Sequence, residues 1–338
     1  MGDMTNPSVT PYDSPGVPLP FAHVYCADST VEVLDDEMLL TQSFRDGVLF
    51  AHRMAGGELI PAGTVFVVSD PVPGLPDRRW VYLVTARHVI EGIRHKSAED
   101  DSVYLRVNNK DGTAHFVRVP ITAWLFHPSD NSLITGKAWM TPTAEIRYDV
   151  AVASCPDAVA RIVRIAATDF NFVDDALMER ENVAVGDDLA IVGLYNKHVG
   201  KNRNIPIVRS GMIAAMPEPG ELVATQIGPM EVYLIETRST SGLSGSPVFW
   251  TSGFHRVGPD GVSRTLPMNL FRLLGFVHGR YNSPRESEWL SDGIALVVPA
   301  RHIVETLRQE VIMAAREDEE RRLREEAGVG QHGRTPGR

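Results

Sequence analysis

The sequence predicts an all-β protein: two antiparallel β-barrels packed as one unit, followed by a C-terminal helix. Three observations carry this. Short apolar runs rich in valine, isoleucine, leucine and aromatic residues recur between residues 48 and 299, each bounded by Gly, Pro, Asn or Asp. That is the pattern of many short strands in a barrel, not of strands alternating with crossover helices. A chain of 338 residues, 43% hydrophobic and 22% charged, has the length and composition to bury two such cores. From Arg301 onward the period changes, and Ile303, Val304, Leu307, Val311 and Ile312 recur at helical spacing.

Residues 1–43 read as a leader and lead-in. The first 22 residues hold five prolines and no periodic apolar pattern, so they are expected to be loose. The first barrel is expected over about 44–160, with strands at 48–50, 63–68, 80–84, 103–107, 115–119 and 149–153. The stretch 70–77 is a proline-rich hairpin loop, and Asp111-Gly112 carries a hairpin signal. The second barrel is expected over about 183–300, with strands at 189–194, 208–215, 232–235, 248–250, 273–278 and 293–299. Residues 301–338 form the helix and a disordered tail from Gly328. The densely charged run 316–326 reads as a solvated helix, with docking of a regulatory protein partner as the other use of such a face.

Composition excludes several classes. A net charge of −10 without a lysine or arginine stripe argues against nucleic acid, whose phosphates need concentrated positive charge. No run approaches eighteen apolar residues, so no membrane-spanning helix is expected. The N-terminal residues lack the basic start and apolar core of a secretory signal, and only Cys26 and Cys155 are present, which suits a reducing compartment. The expected location is cytoplasmic, with both thiols free. His278 and His302 have no Cys or His at ligand spacing, and His52, His95, His115, His127 and His198 are scattered, so neither a metal nor a cofactor is expected.

Chemistry concentrates in three segments. Ser241-Gly242-Leu243-Ser244-Gly245-Ser246-Pro247 places a serine in a glycine-rich turn before a strand. A serine hydroxyl is a weak nucleophile unless a base takes its proton and N–H donors hold the oxyanion that forms. Leu83-Val84-Thr85-Ala86-Arg87-His88-Val89 ends an apolar run on a histidine, and Arg147-Tyr148-Asp149-Val150-Ala151-Val152 sets one carboxylate before a strand. Each alone has an ordinary structural reading as a turn, a strand-end histidine or a cap. Together, in this order, they match a triad.

Over about residues 44–300 the chain resembles the trypsin-like serine peptidases of the chymotrypsin fold. The resemblance rests on Thr85-Ala86-Arg87-His88-Val89, Asp149-Val150-Ala151-Val152 and Gly242-Leu243-Ser244-Gly245-Ser246-Pro247, and on Leu273–Val277 as the strand that follows the nucleophile. It implies two six-stranded barrels with a cleft between them and a serine endopeptidase acting on protein or peptide substrates. In that comparison His88 is the general base, Asp149 its orienter and Ser244 the nucleophile, with the N–H groups of Gly242 and Ser244 as the oxyanion hole. Ser246 stands where the familiar version has a second glycine. Leu243 stands where activated zymogens carry an aspartate that anchors a new N-terminus, in keeping with the lack of an activation site.

Specificity is open at this level. By the same resemblance Arg238, six before the nucleophile, lies at the floor of the pocket for the side chain preceding the scissile bond. There it pairs with a substrate Asp or Glu, assisted by His278, or else the loop takes another path and leaves Arg238 in solvent. Gly279 leaves room for backbone pairing with an extended peptide. The alternative reading is a latent or inactive fold of this type that grips peptides, or one opened only by a partner.

Overall fold

The computed structural model describes residues 9–10, 24–26, 43–97, 100–130, 146–160, 166–167, 172–218, 220–225, 227–237, 242–266, 270–280 and 293–332. The first half is built on β1 (Val48–Ala55), β2 (Glu58–Val72), β3 (Leu75–Ala86), β4 (Ser102–Asn108), β5 (Ala114–Pro120), β6 (Leu125–Phe126) and β7 (Val150–Ser154). Neighbours pair in the order β5-β4-β1-β2-β3-β7-β6, and every pair is antiparallel. Three short strands extend this sheet to ten: Val9–Thr10 beside β5, Val24–Cys26 beside β3 and Ala166–Ala167 beside β2. The second half is a closed barrel of β8 (Asp188–Gly193), β9 (Ile207–Ala215), β10 (Tyr233–Glu236), β11 (Pro247–Thr251), β12 (Phe271–Arg280) and β13 (Ile294–Pro299), in the order β8-β9-β10-β13-β12-β11.

The all-β architecture therefore agrees with the sequence, and each expected strand has its counterpart. The halves differ in closure. The second is a closed six-stranded barrel, whereas among the described residues the first is a sheet whose end strands β5 and β6 share no ladder. Its strands still enclose one core, in which Phe50, Trp80, Leu83 and Leu105 meet Ile90 and Ile93 of the helix α1 (Arg87–Lys96). The second core holds Ile191, Ile235, Leu243, Trp250 and Val297. Burying each such side chain contributes roughly 1.5–3 kcal/mol.

Four further expectations change. The expected loop at 70–77 is nearly absent: β2 and β3 stay paired out to Val72 and Leu75, and only Pro73 and Gly74 turn. Gly74 takes φ +75°, which a Cβ would disfavour. Part of the leader is ordered as the strand Val9–Thr10, because the unpaired edge of β5 offers it hydrogen bonds.

The C-terminal segment forms α2 (Ala300–Leu307) and α3 (Glu310–His332), so helix runs five residues, 328–332, into the stretch expected to be disordered. Its charged part is not solvated throughout. Arg316 is 3% exposed, pairs with Asp70 Oδ2 at 2.5 Å, donates to the Tyr82 hydroxyl at 2.9 Å and lies over the Tyr82 and Trp80 rings. Arg308 shares Asp70 at 2.7 Å. This buried carboxylate thus fastens α3 to β2. Among the described residues no helix is long and apolar enough to cross a membrane. Cys155 is a buried thiol, its pKa pushed well up by burial, and the side chain of Cys26 lies outside the described residues.

Candidate active site

His88 stands in the first turn of α1, where backbone N–H groups lack helical acceptors. The residue before the helix, Ala86, offers no side-chain cap. Asp149 supplies one from another segment: its Oδ1 accepts the His88 N–H at 2.8 Å, and its backbone carbonyl accepts the Arg87 N–H at 3.2 Å. Its Oδ2 accepts the His88 Nδ1–H at 2.7 Å. One carboxylate thus caps a helix and fixes the ring that the helix presents. With Nδ1–H so donated, Nε2 keeps the lone pair.

The segment entering Asp149 is pinned in turn. Asp130, itself buried, accepts from Arg147 Nη1 at 2.7 Å and from the Tyr148 N–H at 3.2 Å. Arg87, buried under the same helix, pairs with Glu91 at 2.8 Å and with Asp130 at 3.1 Å. Beyond Asp149 the chain runs directly into β7, which pairs with the end of β3 at Ala86↔Val150. His88 and Asp149 therefore leave adjacent strands at the same end of the sheet.

Ser244 lies in the turn between β10 and β11. Gly242 adopts φ +100° and Gly245 φ +82°, and a Cβ on Gly245 would lie 2.2 Å from the Thr64 carbonyl oxygen. Only glycine fits there. The turn is tied to the first half through Thr64: its N–H donates to the Ser244 carbonyl at 3.0 Å, and its hydroxyl donates to the Gly242 carbonyl at 3.1 Å. The same hydroxyl oxygen accepts the Leu194 N–H at 3.0 Å and faces Ser246 Oγ at 3.1 Å. Among the described residues neither the Gly242 nor the Ser244 N–H has an acceptor. Leu243 is 1% exposed in the second core, so its burial anchors the turn.

Two features depart from the expected arrangement. The Ser244 hydroxyl donates to the His278 carbonyl at 3.0 Å, not to His88. The His278 ring is not free to assist an acidic pocket, because its Nδ1 bonds Asp149 Oδ2 at 2.5 Å, edge-on to His88 with centroids 5.1 Å apart. Its ring thus serves the carboxylate. A β-bulge between Val277 and Gly279 accompanies this placement. Gly279 has open space where a Cβ would stand, and Arg238 lies outside the described residues. His88, Asp149 and His278 are also close enough to hold an ion, although Asp149 Oδ2 already serves both rings.

Charge follows geometry. Burial pulls the His88 pKa down, but the Asp149 charge and hydrogen bond outweigh it, and the net shift is upward from 6.5. Burial would raise Asp149, yet the two histidines together hold it far below its ordinary 3.8. Thr64 and the Asp149-bound ring of His278 were missed by sequence reasoning. A buried threonine in an apolar run looks like any β-branched strand residue, and a ring re-aimed at a bulge breaks the alternation that would have predicted its face.

No protein-family model and no curated protein sequence matches the chain. Among solved structures it is similar to Deg5, at 13% identity and a TM-score of 0.43, covering 80% of this chain and 92% of that one. It is also similar to the Drosophila clip serine protease Grass of the Toll pathway, at 12% identity and a TM-score of 0.44, covering 84% and 74%. Likeness of this degree supports no functional inference.

Proposed function

We propose that the chain is a serine endopeptidase working by acyl transfer on protein or peptide substrates. The observation that carries this reading is the Asp149–His88 pair: a buried carboxylate that both caps the helix under the histidine and fixes its Nδ1–H, leaving Nε2 as base. Ser244 attacks the peptide carbonyl and His88 takes its proton. The unaccepted N–H groups of Gly242 and Ser244 hold the oxyanion. His88 then protonates the leaving amine, and water releases the acyl-enzyme by the same route. Gly279 leaves an extended substrate room beside β12.

A second reading, a latent enzyme opened by substrate or a partner, is favoured by one observation. The Ser244 hydroxyl is committed to the His278 carbonyl and must turn away before His88 can take its proton.

Labelling by a fluorophosphonate separates the readings. The expected result is covalent labelling of the folded wild type that disappears in Ser244→Ala and His88→Ala. No labelling of a folded wild type would favour the latent form, and labelling that survives Ser244→Ala would overturn the assignment. The pH profile is a further expectation. His88 must be neutral to accept a proton and its pKa is raised, so kcat/KM should fall on acidification with a midpoint above 6.5. A rate flat from pH about 8 to about 6 would contradict the role of a histidine base, whose ordinary pKa lies within that window.

A further inference from the structure

We propose that His127, His302 and Glu305 bind a divalent cation of the zinc class, which fastens α2 to the turn after β6, against which Tyr148 stacks. Linear spacing shows only part of such a site: His302 and Glu305 are three apart on α2, but His127 lies 178 residues from Glu305. In the structure His127 Nε2 lies 3.0 Å and His302 Nδ1 2.7 Å from the same oxygen, Glu305 Oε2. The two rings stand nearly perpendicular with centroids 5.7 Å apart, and the three ligand atoms all lie within 4.8 Å of one another. Both histidines are almost fully buried, at 3% and 4% exposure.

Two imidazoles and a carboxylate are the donor set of zinc sites that keep one open position. Bonds of about 2.0–2.2 Å in tetrahedral geometry place ligand atoms a little over 3 Å apart. Glu305 Oε2 therefore needs to retreat by roughly 0.3–0.9 Å from the two nitrogens, and its side chain, 47% exposed, has room to do so. An outer partner is present: His302 Nε2 lies 3.5 Å from Glu231 Oε2, and Glu231 is held by Arg301. A carboxylate behind a ligating imidazole orients the ring and raises its basicity. His127 Nδ1 accepts the Ser129 N–H at 3.2 Å, a long bond that is given up when the cation takes Nε2 and the ring proton moves to Nδ1.

The place of the site suggests its use. Tyr148 stacks on His127 with centroids 4.0 Å apart and meets His302 edge-on at 5.0 Å, and the next residue is Asp149. A cation here ties the C-terminal helix to the neighbour of the orienting carboxylate. Its binding does not depend on the peptidase reading.

Calorimetric titration of the full chain, stripped by a chelator, with zinc chloride at neutral pH tests this, with thermal melting alongside. One equivalent is expected to bind and raise Tm. Affinity is expected to fall at least tenfold in His127→Gln, His302→Gln and Glu305→Gln and to stay unchanged in His88→Ala, which separates this cluster from that of His88, Asp149 and His278. Glu305→Gln changes a half-exposed side chain, so it tests ligation even where the buried histidine variants fail to fold. No binding, binding indifferent to Glu305→Gln, or binding lost only in His88→Ala would overturn the proposal.

Discussion

Asp149→Asn is expected to lower kcat/KM by about four orders of magnitude while the protein still folds, as loss of the correct tautomer does in triads of this kind. The reason lies in what each oxygen does. Oδ1 accepts a backbone N–H from α1, and Oδ2 accepts ring N–H donors from both His88 and His278. An asparagine that keeps its carbonyl on the backbone donor turns its NH₂ toward the two rings. Each must then accept through Nδ1, which moves the His88 proton to Nε2, and a protonated Nε2 cannot take the proton of Ser244. Activity within tenfold of wild type, in a variant whose melting shows it folded, would show that the carboxylate does not set the tautomer. The same pair shapes the pH dependence of stability. The raised His88 pKa contributes stability that is full below 6.5 and is lost as pH rises through the folded value. The depressed Asp149 pKa contributes stability that is present above 3.8 and is lost as pH falls through its folded value.

His88, Asp149 and Ser244 were legible as candidates because each carries a local signature: a histidine ending an apolar run, a carboxylate opening one, a serine between glycines. Those signatures reflect constraints acting within a few residues, such as the positive φ of Gly242 and Gly245. The strands were legible for the same reason. What sequence could not show depends on contacts across long separations. Thr64 reaches Gly242 and Ser244 across the two halves, and Asp70 receives Arg308 and Arg316 from the far end of the chain. The charged composition of α3 suggested solvent because nothing local distinguishes Arg316 from its exposed neighbours. Only the packing of Trp80 and Tyr82 beneath it does.

The departure at Ser246 explains a glycine elsewhere and leads to the second large effect, expected for Gly193→Ala. Ser246 is fully buried, and its hydroxyl reaches Thr64 Oγ1, the hub that holds the Ser244 turn to the first half. The added hydroxymethyl fills space that must be left free on the facing strand. A Cβ at Gly193 would lie 1.8 Å from Ser246 Oγ, 2.7 Å from Ser246 Cβ and 3.0 Å from Leu243 Cδ2. Backbone and side chains on both sides are buried, so the strain has no exposed outlet. Gly193→Ala should therefore destabilise the protein by about 3 kcal/mol, the upper end for overpacking, and displace the turn enough to abolish fluorophosphonate labelling. Ser246→Gly alone should lose about 1 kcal/mol with its hydrogen bond. The double variant, Gly193→Ala with Ser246→Gly, removes the two closest contacts and leaves the 3.0 Å approach to Leu243 Cδ2, the far end of a flexible side chain. It should be more stable than Gly193→Ala alone, a coupling that denaturant melts of the four proteins would measure. Simple additivity of the two losses would mean that the strain at Gly193 arises elsewhere and that the serine and the glycine are not matched.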